Sequence, residues 1–467
     1  MLRPVNKLPP EILSHIARYL LNEKDEDALR IVPLTHVCRY WRESIISSPE
    51  HWTLISSRDD GLATESLERA KAAPLKICLD MEIIQEQSSP GFWHDIIKPY
   101  IQNAETLVVI SIATSEEFTE MFPNFPNSMP NLRRLKLEMW EDCWDPSVDV
   151  FESPAHTLED LSLIDIPLSP SLLKLRTLTA LTLHHDSYHH NQFNLHLDTL
   201  LNFLEENRSL TSANLRIGFT ERSSQRQPMK GNQLQYLSID CGDAMDTQAL
   251  ISNIPLQRGA HLKILSHTNT ELNEILSGIP TTHLLNLLSP TLMRYSSCIG
   301  ETRLDGPNGT FSFDCYRPRG PLIDFGDFPL SPLTTIQEFH LIHREASWMA
   351  APNSVEFCLS SFPVLETLAV SCDTGMAHLL SPLLSNPSSS PSLKTLAFLD
   401  CDLSEDFMKE LSRFASDRKN TTSAWLHRIL IVHQDGIFPS AASLHSLRGH
   451  IRIVDLRMAD KLPKDLT

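Results

Sequence analysis

At 467 residues the chain has room for two or three domains, or for one small domain followed by a repeat array. Its hydrophobic fraction of 41% suits a folded protein, and its formal net charge of −18 repels nucleic acid and anionic membranes while favouring basic partners. The nine cysteines are an odd number without a Cys-x-x-Cys pair, which argues against a disulfide framework or zinc site and for a reducing compartment. No stretch has the apolar length of a signal-peptide core or a membrane span, so the expectation is a cytoplasmic or nuclear protein with no cofactor.

The chain opens with two amphipathic segments. Pro9 and Pro10 suit the first turn of a helix, where amides lack intrahelical partners, and Glu11 places negative charge at the positive end of the dipole. Ile12, Ile16 and Leu20 recur every four residues, Leu13 and Ala17 widen the stripe, and the polar run from Asn22 to Asp27 ends it. A second helix after Pro33 puts Leu34, Val37, Cys38, Trp41 and Ile45 on one side and Arg39, Arg42 and Glu43 on the other. Residues 1–57 hold seven basic and seven acidic groups, so all the excess acidity lies beyond them. A core drawn from about fifty residues is marginal alone and tends to complete its packing on a partner.

The pairing of Leu8-Pro9-Pro10-Glu11-Ile12-Leu13 with Val37-Cys38-Arg39-Tyr40-Trp41-Arg42 resembles an F-box, and Ser48-Pro49-Glu50-His51-Trp52 closes the segment as in fungal-type members. The resemblance covers about the first 55 residues. It implies a module that docks on a Skp-type adaptor and, through it, a cullin, while the rest of the chain selects an unknown protein substrate. By motif the adaptor contact falls to Leu8, Pro9, Ile12, Leu13, Ile16, Leu20, Val37, Cys38 and Trp41. Ala17 departs from the pattern, standing where many members carry Phe.

Beyond residue 60 the phrase Leu-x-x-Leu-x-Leu keeps returning. Clear copies begin at Leu132, Leu158, Leu178, Leu234, Leu365 and Leu393, and weaker ones are Leu107/Ile110/Ile112, Leu210/Ala213/Leu215, Leu262/Leu265/His267, Ile336/Phe339/Leu341 and Leu426/Ile429/Ile431. Their spacing brackets the leucine-rich-repeat period of roughly 20 to 29 residues. Each copy makes a short strand with its leucines inward, and each leaves an apolar edge that only a neighbour covers. The repeats resemble the irregular leucine-rich repeats that often follow an F-box. Between Ile299 and Pro332 glycines and prolines interrupt the array, although Gly309 to Tyr316 alternates like one strand, and a Ser/Pro stretch from Ser385 to Ser392 reads as a surface loop.

Candidate chemistry is sparse. His184, His185, His189, His190 and His196 have the right ligand type for zinc, but His184 and His185 end a predicted strand and must point to opposite faces. Asp373-Thr374-Gly375 resembles the catalytic triplet of aspartic proteases but occurs once, where two carboxylates must share a proton. The acidic and aromatic run Glu138 to Glu152, with Trp140, Glu141, Asp142, Trp144 and Asp145, suits a basic substrate segment through charge and cation–π contacts. A second candidate surface is the outward strip of the late repeats, Thr367, Ala369, Thr395, Ala397, Leu399, Leu430 and Val432, which accepts either a substrate or another part of the chain.

The sequence therefore reads as α/β: an all-helical F-box at residues 1–57, a connector with a degenerate first repeat at 58–104, an irregular leucine-rich-repeat solenoid with a parallel concave sheet at 105–458, and a tail at 459–467. The expected role is substrate recognition in a Skp-cullin-F-box ubiquitin ligase, without catalysis and without nucleic-acid or membrane partners. The alternative is a leucine-rich-repeat interaction scaffold outside ubiquitin chemistry, with a histidine-based metal hydrolase third.

Overall fold

The computed structural model describes residues 8–20, 31–89, 91–112, 114, 120, 129–139, 157–185, 195–219, 229, 233–240, 243–257, 259–266, 275, 292–296, 301–306, 309–315, 335–343, 362–372, 376–386, 390–401, 403–421, 425–433 and 439–458. The chain divides into two compact units, Met1–Glu221 and Arg222–Thr467.

The first unit begins with helices α1 (Pro10–Leu20), α2 (Val32–Thr35) and α3 (Arg39–Ile46). Helix α1 starts at the expected proline, and Leu13 and Ala17 are its buried residues. The segment after Pro33 is two helices rather than the single one expected. Cys38 is extended at the N-cap of α3, and the intervening Val37 is exposed. Strand β1 (Leu54–Ser56) follows, then α4 (Asp60–Ala70), β2 (Leu75–Asp80), α5 (Met81–Glu86), β3 (Ala104–Ile112), β4 (Arg134–Met139), β5 (Asp160–Ile164), β6 (Ala180–His184), α6 (Leu197–Glu206) and β7 (Ser212–Arg216). All seven strands pair in parallel in sequence order. The sheet thus starts at Leu54, inside the region expected to be helical, and β2 falls in the stretch expected to hold a connector and a degenerate first repeat. Side chains start the helices here: the Asp59 carboxylate accepts from the Leu62 amide and that of Asp80 from the Glu82 amide.

The second unit comprises β8 (Tyr236–Asp240), α7 (Ala244–Asn253), β9 (Ala260–Ser266), β10 (Leu292–Ser296), β11 (Glu301–Gly306), β12 (Gly309–Cys315), β13 (Glu338–His343), β14 (Thr367–Cys372), α8 (Met376–Ser385), β15 (Thr395–Leu399), α9 (Glu405–Thr421), β16 (Arg428–His433), α10 (Ala441–Arg448) and β17 (Ile453–Met458). Strands β8 and β9 are parallel, as are β13 through β17. The interruption in the array is an antiparallel meander. Strand β11 pairs with both β10 and β12, while β12 runs parallel to β9 and β10 parallel to β13. The strand expected near Gly309 exists as β12, and Gly306 faces Gly309 where the hairpin closes.

Register explains why one phrase recurs. Leu135, Leu161 and Leu181 lie side by side on β4, β5 and β6, as do Leu368, Leu396 and Ile429 on β14, β15 and β16, and all six are buried. The leading leucines Leu132, Leu158, Leu178, Leu365 and Leu393 are buried as well. Two weak copies are out of register. Leu107 and Val109 align with Leu135 and Leu137, so Ile110 is not inward, and the strand is irregular between Val109 and Ile112, where Ser111 takes a positive φ. On β9, Leu262 and Ile264 are the buried pair and Leu265 is half-buried, while His267 lies outside the described residues. Both errors come from runs such as Leu107 to Ile112, where apolar residues occupy both parities and alternation cannot choose a face.

Hydrogen bonds bind one repeat to the next at both ends of the strands. The residue just before each phrase is often a hydroxyl that donates backwards: Thr157 to Leu132 O (2.8 Å), Thr177 to Leu158 O (2.6 Å), Ser209 to Leu178 O (2.9 Å) and Ser392 to Pro363 O (2.9 Å). Where β5 and β15 end, Asp165 and Asp400 adopt left-handed conformations (φ 55° and 54°), which Asp tolerates better than most residues. Their amides bond forward to His184 O and Val432 O, each at 2.7 Å. Because Leu368 is buried in register between Phe339 on β13 and Leu396 on β15, Leu368→Ala is expected to lower stability by about 2 to 5 kcal/mol, read by urea denaturation.

Candidate functional site

The three N-terminal helices bury one set of apolar side chains and expose another. Leu13, Ala17, Ile31, Leu34, Trp41, Ile45 and Trp52 are buried, with the Trp52 indole donating to Ile45 O at 3.0 Å and lying 4.2 Å below the Arg69 guanidinium. The burial of Ala17 shows that a small residue is accommodated there. Tyr40 donates its hydroxyl to Leu8 O (2.8 Å), fixing the segment before α1 against α3, and Arg42 donates to Thr35 O (2.9 Å), bridging the break between α2 and α3. Outward lie Ile12 (47% exposed), Val37 (48%), Tyr19 and Ile46.

The expected adaptor contacts therefore differ in burial. Leu13 and Trp41 belong to the core of the module, and Leu8, Ile16 and Cys38 are half-buried. Pro9, Ile12 and Val37 are exposed, and Leu20 closes α1. Ile12 was read as the start of the inward stripe, but the inward line of α1 runs through Leu13 and Ala17. Tyr19, seven residues after Ile12 and so on the same helical face, joins this exposed set although the motif did not single it out.

The expected substrate surfaces fare differently. Trp140, Glu141, Asp142, Trp144 and Asp145 lie outside the described residues, as do His189, His190 and Asp373 to Gly375. Ala369, Ala397, Leu399 and Val432 form a buried apolar cluster against which Leu430 packs, so this strip is largely closed, while Thr367 and Thr395 are half-buried at its start. The Ser/Pro stretch is not all surface: Ser390 is buried and its carbonyl accepts from Arg418.

In the first unit a groove of about 610 Å³ runs along the rim where strands begin, lined by Pro130, Arg133, Thr157, Glu159, Arg176 and Thr179, among others. Its charges are mutually satisfied. Arg133 lies 3.9 Å from Glu105 and 3.0 Å from Glu159, and Arg176 pairs with Glu206. At the opposite ends of the strands, Arg216 donates to His184 Nε2 at 2.6 Å. Since a guanidinium only donates, that nitrogen is the acceptor. Its neighbour His185, just past the end of β6, is buried, whereas His184 is half-buried. Among the described residues no three His, Cys, Asp or Glu side chains converge as a metal site, and no helix is long and apolar enough to cross a membrane.

Residues 5–58 match the F-box-like family. No curated protein matches the chain. Among solved structures, a similar chain is that titled "Crystal structure of TLR13-ssRNA13 complex", at 13% identity and a TM-score of 0.29, with 83% of this chain and 52% of that chain covered. The present chain thus spans about half the length of that structure. The protein carries an F-box-like domain at its amino terminus, followed by an α/β array of stacked strands.

One titration follows from the geometry. Burial, with a smaller contribution from His184, pushes the His185 imidazole down to about 4 from an ordinary value of 6.5. The unfolded chain then binds a proton that the folded chain refuses, so stability is complete above about pH 6.5 and falls as pH drops towards 4. His51, also lowered by burial, adds to the same slope. Thermal unfolding between pH 7 and pH 4 is expected to show this loss, and His185→Leu to flatten it whatever its effect on absolute stability.

Proposed function

We propose that this protein is a recruitment subunit: residues 5–58 dock on a Skp-type adaptor and, through it, a cullin, and the repeats hold a protein to be ubiquitinated. The observation that carries the reading is the F-box-like domain with apolar side chains left outside its own core. A helical module with Ile12 and Val37 about half exposed is stable enough to fold within the first unit and still has an apolar face to bury. Such exposed apolar patches mark interaction sites. The stacked strands that follow fit irregular leucine-rich repeats of the kind seen in fungal F-box proteins, which bind other proteins along their faces and rims. In this reading catalysis is supplied by the partners of the complex, and the protein works in the cytoplasm or nucleus, the reducing compartments that its nine cysteines without a Cys-x-x-Cys pair suit.

The same exposure makes the reading testable without unfolding the domain. Ile12→Asp puts a carboxylate on the outer face of α1, where water solvates it in the free protein and a partner surface would bury it unpaired. Co-precipitation of adaptor and cullin, read by mass spectrometry, is expected to fall by more than about tenfold, with the far-ultraviolet circular dichroism unchanged. Leu13→Asp, by contrast, is expected to disrupt the helices themselves. Full adaptor capture by the Ile12→Asp protein would rule out this contact face.

A further inference from the structure

The rim where strands begin differs between the two units. In the first unit its charges pair with one another, and hydroxyls bond back to the preceding repeat. In the second unit the same rim, from β14 to β17, exposes apolar side chains and unanswered cations. Register places Thr367, Thr395, Arg428 and Ile453 in one row, so the residues preceding them, Glu366, Lys394, His427 and Arg452, form the row next to it. Val364 and Trp425 each stand just before the leading apolar residue of their phrase, where the first unit has Thr157, Thr177 and Ser209; between them Ser392 keeps the hydroxyl and its backward bond.

Trp425 is 52% exposed and Ile453 49%, and Val364 is also exposed. Lys419 lies 5.6 Å from the Trp425 ring centre and bonds to Gly449 O, so α9, Trp425 and the turn into β17 meet at one corner. Glu366 is taken up by Lys394, and Asp455 by Arg428 and Arg457. Arg448, Arg452 and His427 are exposed and form no ion pair among the described residues. In a chain of net charge −18, this corner is basic and apolar together.

We propose that the strand-start rim of β14 to β17 is a docking surface for an acidic, extended peptide segment with an apolar anchor side chain. The anchor lies against the Trp425 indole and Ile453, and carboxylates of the segment pair with Arg448 and Arg452. Four adjacent strands span about 14 Å, which an extended segment crosses in about four residues. Cations beside an indole also suit single-stranded nucleic acid, but a strand with a charge at every phosphate needs a continuous run of cations, whereas this rim offers Arg448 and Arg452 with the paired carboxylates Glu366 and Asp455 beside them, which fits a few carboxylates around one apolar anchor. The inference deepens the recruitment reading by naming the class of target, and rests on it only for the fate of the captured segment.

The test uses the full chain and fluorescence anisotropy of a short labelled peptide of Glu and Asp residues around a Leu-Leu pair. Saturable binding that weakens with salt is expected. Arg448→Glu together with Arg452→Glu should weaken it by about tenfold or more, and Trp425→Ala by about fivefold, with thermal unfolding unchanged. Arg133→Ala in the first unit should leave affinity as it was. Unchanged affinity after charge reversal, equal binding of a Lys-for-acid peptide, or tighter binding of oligouridylate would each overturn the proposal. Ile12→Asp separates the two readings, because it removes the adaptor contact and leaves peptide binding intact.

Discussion

Each repeat leaves the apolar edge of its strand uncovered, and only a neighbour in the same register covers it. That constraint governs the rest of the structure. It aligns Leu135 with Leu161 and Leu181 in the first unit and Leu368 with Leu396 and Ile429 in the second. A one-residue slip would turn every one of these side chains to the opposite face. The hydroxyls before the phrases and the left-handed aspartates after them hold that register from either end, so polar bonds fix what apolar burial stabilises.

Stacking strands also creates a problem behind the sheet, where turns between helix and strand carry buried carbonyls. Two unrelated side chains solve it. Buried Asn207, which caps α6, donates to Leu175 O and Phe203 O while its oxygen accepts from the Leu178 amide. Fully buried Arg418 in α9 donates to Ser390 O and Leu393 O at 3.0 Å each. A guanidinium without water is costly, and the two carbonyls of this turn offset part of that cost by accepting from its Nη1 and Nη2. Burial accordingly lowers the Arg418 pKa. Cys401 acts similarly after β15, donating from its thiol to Val370 O at 3.2 Å.

The surfaces available for partners follow from what the stacking leaves over. On the N-terminal helices, Leu13 and Ala17 are used internally and Ile12, Tyr19 and Val37 are not. On the repeats, the outward strip through Ala369 and Ala397 is already covered, which shifts attention to the rims. There the two units diverge in chemistry, since carboxylates answer the arginines of the first rim and leave Arg448 and Arg452 of the second unanswered.

The sequence by itself determined the helical start at Pro10, the F-box motif, the recurring strand and the inward leucines wherever apolar and polar residues alternate cleanly, because those features follow from local periods of 3.6 and 2 residues. It did not determine the exposure of Ile12, because a helix of this length carries more apolar residues than one core contact can bury, and only the packing of α3 chose Leu13 and Ala17. The registers of β3 and β9 were left open by apolar residues at both parities, and pairing with β4 and β8 decided them. Arg418 sits among polar residues near the end of α9, and tertiary structure alone brings the carbonyls of Ser390 and Leu393 to it. Within the interruption β12 was legible as a strand and β11 was not, because the pairings of the meander join residues that no local pattern relates.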